Sequence, residues 1–290
     1  MGEQVCMTGA EYCGGAAGVD MYGYPVETTG NAVLDILEHR SSTRAFARDD
    51  DRPVAVTDEQ RTAILHAASR APSAGAMMMY SIVSIREQAT LDRLTDLCDH
   101  QPMIAKAPWA LIFVVDYAKW IDLFEHVGCF EPEFVERTGK APRRAPGLGD
   151  FAIAAQDAVI AAQNAVVAAE ALGLGSCYIG DVIENAEEVA ELLDLPPYTM
   201  PLSMLIIGTP RKERPAIAHP VVNLVHEEHY CRADAATMDA QVAEMDAMFR
   251  PHAREVGERV VDIYTRKHTS PFMAEMSRSM EWWFKNWLGK

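Results

Sequence analysis

Helical and strand-like segments alternate along this sequence, and the alternation predicts an α/β or α+β domain with a helical C-terminal tail. Three observations carry that prediction. Residues 109–116 (Trp-Ala-Leu-Ile-Phe-Val-Val-Asp) are a short apolar run rich in branched and aromatic side chains, as in a strand buried on both faces. Residues 151–172 are Ala-rich, apolar and too long for a strand, so they read as a helix. Beyond Arg214 the chain changes character and becomes mainly helical.

Residues 1–30 are rich in Gly and Tyr and show no period, and they are read as an irregular N-terminal arm. Asn31 caps a short helix over 32–39, with Val33, Ile36 and Leu37 on one face. A second helix opens at Thr57 with a capping box closed by Gln60 and runs to about Ser69, where Ala71-Pro72-Ser73-Ala74-Gly75 stops it. A strand is expected over 80–85 and a helix over 88–98. A Pro- and Gly-punctuated insertion carrying Trp120, Phe124, Phe130 and Phe134 occupies 117–150. In the long helix Gln156, Asp157, Gln163, Asn164 and Glu170 recur near seven and form one narrow polar stripe. The rest of that helix is expected to be buried, at the centre of a large body or at a subunit interface. A short strand over 176–180, a helix over 185–193 and a buried strand over 202–208 follow. An extended segment near 221–230, helices over about 235–249 and after Pro251, and a last helix from Ser270-Pro271 to Trp282, Trp283 and Trp287 complete the chain. The domain boundaries expected are 1–30 for the arm, 31–230 for the main domain and 231–290 for the helical extension.

At 290 residues, 49% hydrophobic and 23% charged, the composition is that of an ordinary globular protein able to bury about three quarters of its unfolded surface. The net charge of −16 leaves no electrostatic footprint for nucleic acid or anionic lipid, although a local basic pocket for a small anion fits. Six cysteines at 6, 13, 98, 129, 177 and 231 contain no CxxC pair and read as free thiols of a reducing, cytoplasmic compartment. The first basic residue is Arg40, so no signal-peptide n-region is expected. The polar residues of 151–172 argue against a membrane span.

Two motifs are weaker than they look. Gly173-Leu-Gly175 with Gly180 is one residue out of register for a dinucleotide fingerprint and follows a helix rather than a strand, so Gly173 reads as a helix C-cap. His226-Glu-Glu-His229 with Cys231 spaces its histidines three apart, not the four of a zinc helix, and reads as solvated polar residues without a metal. The informative cluster is Arg40-Ser41-Ser42-Thr43-Arg44, two guanidinium groups and three hydroxyls in five residues. Such donors suit phosphate oxygens. A plainer alternative has Arg40 offset the helix dipole while Arg44 pairs with the acidic run at 49–51.

The order of segments goes further. Arg40-x-Ser42-Thr43-Arg44-x-Phe46, Ala71-Pro72-Ser73, Ala107-Pro108, Asp157…Gln163-Asn164, Gly173-Leu-Gly175-Ser-Cys-Tyr-Ile-Gly180 and Ile207-Gly208-Thr-Pro210 occur in sequence. That series, over about residues 32–215, resembles the nitroreductase-like family of FMN-dependent oxidoreductases. The resemblance implies an α+β fold with a mixed β-sheet flanked by helices, and an intertwined homodimer with FMN in two interfacial clefts. By that resemblance Arg40, Ser41, Ser42 and Arg44 bind the phosphate and ribityl end, and Arg214 or Arg211 adds a second phosphate contact. Pro72, Ser73 and Ala74 come from the partner subunit, while Ile179, Gly180 and Asp181 lie against the flavin ring. The chain departs from the family at Ala76 and Met78, where an Asn and a Gln are usual; methionines 77–79 either pack on the ring or belong to the core.

No acid–base machinery is apparent, which suits an enzyme whose cofactor carries the chemistry. The activity implied is a ping-pong transfer from NADH or NADPH to a small planar electron-poor acceptor (a nitroaromatic, quinone or flavin), with no metal. Trp120 and Phe124 are the expected cleft aromatics. The alternative is a flavin-binding carrier or sensor without nicotinamide turnover.

Overall fold

A computed structural model of the chain describes residues 17–19, 25–27, 30–50, 52–140, 143–212 and 223–290. The elements in order are β1 (Ala17–Val19), β2 (Pro25–Glu27), α1 (Ala32–His39), β3 (Arg48–Asp49), β4 (Arg52–Pro53), α2 (Asp58–Ser69), β5 (Tyr80–Ile85), α3 (Gln88–Leu97) and β6 (Trp109–Asp116). They continue with α4 (Ala118–His126), α5 (Pro132–Thr138), α6 (Leu148–Ala171), β7 (Gly175–Ile179), α7 (Ala186–Leu192), β8 (Thr199–Gly208), α8 (Ala235–Phe249), α9 (Glu258–Ile263) and α10 (Pro271–Trp287). The chain divides into two compact units: Met1–Ser41 with Arg214–Met273, and Ser42–Glu213 with Ala274–Lys290.

The second unit holds a four-stranded sheet in the order β5-β6-β8-β7. Every neighbouring pair of these strands is antiparallel, with Tyr80 opposite Val115, Trp109 opposite Ile207 and Gly175 opposite Gly208. The parallel component of the expected mixed sheet is a bridge between Ser42 and Ser176. All eight residues of β6 are buried, and the period of two sends alternate side chains to opposite faces. Trp109, Leu111, Phe113 and Val115 pack with α2 and α6. Ala110, Ile112 and Val114 pack with α3, α7 and Trp283. The continuous apolar run is thus one strand serving two cores.

Local chemistry sets the helix ends. The Asn31 side chain accepts from the Val33 and Leu34 amides, and Thr57 and Gln60 form the reciprocal capping box. After α6 the Leu174 amide reaches the Ala169 carbonyl and Gly173 adopts φ +72°, a left-handed C-terminal closure. In the insertion, Pro132 starts α5 and left-handed Gly139 ends it, so the punctuation there marks helix ends.

Three expectations need correction. First, the N-terminal arm contains an antiparallel pair, Ala17 opposite Glu27, because two short extended runs satisfy each other's backbone groups. Second, residues 223–230 form turns, since Asn223 and Glu228 take positive φ and break an extended run. Third, α6 is not buried nearly all round: Ala154, Ala158, Ala161 and Ala165 face the sheet, while Ile153, Val159 and Ile160 are exposed in the single chain. By length and hydropathy α6 resembles a membrane-crossing helix, yet its small-residue face is packed against β6 and the first core. In the other unit, Asp234 caps α8 through the Thr237 amide at 2.8 Å.

Candidate functional site

The segment Ser42–Ala47 runs across one end of the sheet. The Thr43 amide donates to the Ser176 carbonyl at 2.8 Å, the Ala47 amide to Thr209 at 2.8 Å, and the Arg211 amide to the Ala45 carbonyl at 3.0 Å. These bonds place Ser42 beside the start of β7 and put Arg44 on backbone that neighbours Arg211. Two glycines make the approach possible. A Cβ on Gly175 would collide with Thr43 Oγ1, and one on Gly208 would meet Pro108 and Phe46 at 2.7–2.8 Å. Thr43 is consequently 3% exposed, its Oγ1 without a hydrogen-bond partner among the described residues. Its hydroxyl packs toward Gly175, and Ser42 and Arg44 are left at the surface.

Arg44 and Arg211 are both exposed and make no ion pair among the described residues. Arg44 therefore does not pair with Asp49 or Asp50. Arg40 is the C-cap of α1, its amide bonded to the Ile36 carbonyl at 3.0 Å, and Ser41 is buried in the same unit. Arg214, Cys6 and Cys13 lie outside the described residues.

The Pro72–Met79 loop is built from one carboxyl group. Asp157 accepts from Ser73 Oγ at 2.6 Å, the Ala74 amide at 3.0 Å and the Met79 amide at 3.3 Å, while the Met78 amide donates to Ser73 Oγ at 2.6 Å. Gly75, Ala76 and Met78 all take positive φ, of 58°, 54° and 46°. For Ala76 and Met78 the left-handed conformation costs roughly 1–2 kcal/mol each, which the Asp157 hydrogen bonds offset. Asp157 is 2% exposed, so it is not part of a solvent-facing polar stripe. Asp157 shapes the site, a role the sequence reading did not give it although it named the residue in the polar stripe and in the ordered motifs. Its signal was available, since Asp157 falls on the helical face of Ala154, Ala158 and Ala161. The methionines divide: Met79 is buried, Met77 packs against the first core, and Met78 is exposed.

Trp120 donates its indole N–H to the Met77 carbonyl at 2.9 Å and stacks on Phe124 at 5.5 Å, joining α4 to this loop. Lys119 is drawn into the same region, its ammonium on the Tyr80 carbonyl. Burial lowers its pKa against the opposing pull of Asp116 and Asp157.

At the end of β7 Ile179 is 1% exposed and belongs to the second core; Gly180 is exposed and Asp181 half-buried. Asp181 accepts from the Gln101 amide nitrogen. Next to it the 4%-exposed Glu184 is pushed up to about 7, first by burial and then by Asp181, Asp99 and Glu275. In the first unit His226 stacks on Tyr230, and the Cys231 thiol points to the His229 carbonyl. Among the described residues no group of three or more His, Cys, Asp or Glu is arranged to hold a metal.

Residues 37–209 match the model of the Nitroreductase family. The chain is 33% identical over 214 residues to an FMN reductase [NAD(P)H] of Bacillus subtilis, spanning 73% of this chain and 79% of that protein. It is 32% identical over 217 residues to an oxygen-insensitive NADPH nitroreductase of Salmonella typhimurium, spanning 73% and 81%. Among solved structures, the hypothetical oxidoreductase YcnD from B. subtilis superposes with a TM-score of 0.71 at 26% identity, covering 87% of this chain and 97% of that one. The NADPH:FMN oxidoreductase from Vibrio harveyi complexed with NAD+ superposes with a TM-score of 0.66 at 25% identity, covering 86% and 97%.

Proposed function

This chain belongs to the nitroreductase family, and from that premise we propose that it is an FMN-dependent oxidoreductase that passes reducing equivalents from NAD(P)H to a small electron-poor acceptor. One observation carries the reading. On a chain of net charge −16, Ser42, Arg44 and Arg211 lie on neighbouring backbone at the sheet end, and neither arginine makes an ion pair among the described residues. Two unpaired guanidinium groups and a hydroxyl are the donor set a phosphomonoester requires. Relatives named FMN reductase and NADPH nitroreductase support the same assignment.

The residues fit FMN as follows. Ser42, Arg44 and Arg211 would hold the phosphate; for Arg40, Ser41 and Arg214 the same role rests on the family resemblance alone. Exposed Gly180 and half-buried Asp181 would face the ring, with Ile179 anchoring the segment in the core. Pro72, Ser73 and Ala74 reach a partner's cofactor, in a homodimer that covers the exposed apolar side chains of α6, Ile153, Val159 and Ile160, and those of α1, Val33, Leu34 and Leu37. Asp157 holds the loop rigid for that contact. FMN, when bound, would supply two-electron chemistry between the nicotinamide and the acceptor. The chain's part is to bind, orient and exclude water. A nicotinamide co-substrate supports a cytoplasmic location for the enzyme.

The test is an anaerobic titration of the FMN-loaded protein with NADPH and then NADH, followed at the oxidised-flavin absorbance band. Stoichiometric bleaching is expected. A flavin that binds and stays oxidised with both nucleotides would overturn the reductase reading and leave a carrier.

A further inference from the structure

Glu184 is a buried carboxyl group at the end of the segment assigned to the flavin ring, and the proposed chemistry does not use it. β7 runs directly into a 3₁₀ turn, Gly180–Ile183, closed by the Glu184 amide on the Asp181 carbonyl at 3.0 Å. Three residues per turn put positions i and i+3 on one side, so Asp181 and Glu184 are stacked.

Two other elements clamp this turn. At the end of α3, the Gln101 side chain donates to Asp181, the Asp99 backbone is hydrogen-bonded to the Glu184 carboxyl, and Asn185 Nδ2 donates to the Leu97 carbonyl at 2.8 Å. From α10, the Trp283 indole donates to the Ile183 carbonyl at 2.8 Å, Glu275 accepts from the Asn185 amide at 3.3 Å, and Ser279 Oγ accepts from the Ala186 amide at 3.2 Å. Cys98 is fully buried in the same place; burial first, and then the Asp181 and Glu184 charges, push its thiol well above the usual range.

The charges gathered there do not balance. Glu184 faces Asp181 on its own turn, Asp99 and the Cys98 thiol at the end of α3, and Glu275 on α10. The nearest cation, Arg278, is already shared between Glu275 and Glu187 of α7, while Arg93 of α3 pairs with Glu188. Among the described residues Asp99, Asp181 and Glu184 make no ion pair. An ionised Glu184 therefore adds a fourth carboxylate to a buried corner, and a protonated one does not.

We propose that Glu184 is a positioning residue for the flavin-facing turn: its proton lets Gly180–Ile183 close over Cys98, and its ionisation opens the turn and weakens the hold on FMN. The link to FMN rests on the proposed function; the closure of the turn does not. The folded protein binds this proton more tightly than the open turn does, so closure is fully favoured below about pH 4.5 and is lost as the pH rises through about 7.

The experiment uses the full chain, as purified and after saturation with FMN. Labelling of Cys98 by N-ethylmaleimide is followed by peptide mass spectrometry, with Cys177, buried in β7, as the control for global opening. Comparison with Glu184→Gln at each pH cancels the thiol's own titration. The ratio of wild-type to Glu184→Gln labelling rates is expected to rise at least about tenfold between about pH 5 and about pH 8. Asp99→Asn removes one facing carboxylate at an exposed position whose φ of 51° Asn also tolerates, and should slow Cys98 labelling at about pH 8. Bound FMN should slow that labelling saturably. A ratio that does not change with pH, Cys177 labelled in step with Cys98, or FMN that binds by fluorescence quenching without slowing Cys98 would each overturn the proposal. A chain that takes up no FMN yet keeps the pH-dependent ratio would instead overturn the flavin reading, with the response of the turn standing.

Discussion

Two corners of the same unit hold arginines in opposite circumstances. At the docked C-terminal helix, Arg278 is bidentate to Glu187 at 2.8 Å and also bonds Glu275, while Ser279 links Glu275 to the Ala186 amide at the start of α7. The Arg278 guanidinium holds the Glu275 carboxyl down at about 2 and lowers Glu187 as well. Beneath it Trp283 and Trp287 are fully buried, their indole N–H groups on the Ile183 and Gly147 carbonyls. At the sheet end, Arg44 and Arg211 make no ion pair among the described residues. A corner whose polar groups are matched within the chain builds structure, and one left unmatched is available to a ligand.

The largest expected effect tests the structural corner. Trp287→Ala removes an indole packed edge-on to Phe151 and Tyr117 and should destabilise the protein by roughly 3–5 kcal/mol in urea unfolding. A loss below about 1 kcal/mol would show that α10 is an appendage.

Glu184 lies between the corners and feels Asp181 on one side and Glu275 on the other. Its folded-state value, about 7, is above the ordinary 4.5, so the folded protein binds this proton more tightly than the unfolded chain. The associated stability is fully present below about pH 4.5 and is lost as the pH rises through about 7. A shift of this size amounts to roughly 3 kcal/mol across the window. Glu184→Gln should flatten that decline, and an unaltered pH profile would remove the assignment.

The smallest effects come as a pair. Arg44→Ala should lower FMN affinity at least tenfold, since it removes charge-assisted bonds of roughly 1.5–3 kcal/mol each, and should leave the unfolding midpoint in place. Arg278→Ala should do the reverse, costing at most about 1 kcal/mol because its ion pairs are exposed, with FMN affinity unchanged. Equilibrium flavin titration and urea unfolding of both variants decide it. If both arginines behave alike, the contrast fails.

Much of this was legible in the residues. The capping box at Thr57, the cap at Asn31, the strand over 80–85 and the doubly buried strand over 109–116 are local signals, and the structure has them in place. The ordered motifs led to the family that the comparisons support. Of the candidate site, Ser42, Arg44 and Arg211 could be named, but not their meeting. It depends on Gly175 and Gly208, which let Thr43 and Phe46, 132 and 162 residues earlier in the chain, close on the strands. Asp157 was misjudged because a sevenfold spacing of polar residues looks like a solvent stripe until the partner loop is known.

By itself, the sequence determined the capped helices and the central strands of the main sheet, since caps, turn glycines and apolar periods act within a few residues. It also determined which residue types could serve a phosphate-bearing cofactor. Tertiary structure alone decided which arginines stay unmatched, which carboxyl group fixes a loop 80 residues away, and that Asp181 and Glu184 gather over Cys98. Those are long-range contacts, and neither burial nor pairing is a property of a residue until the chain has brought its partner to it.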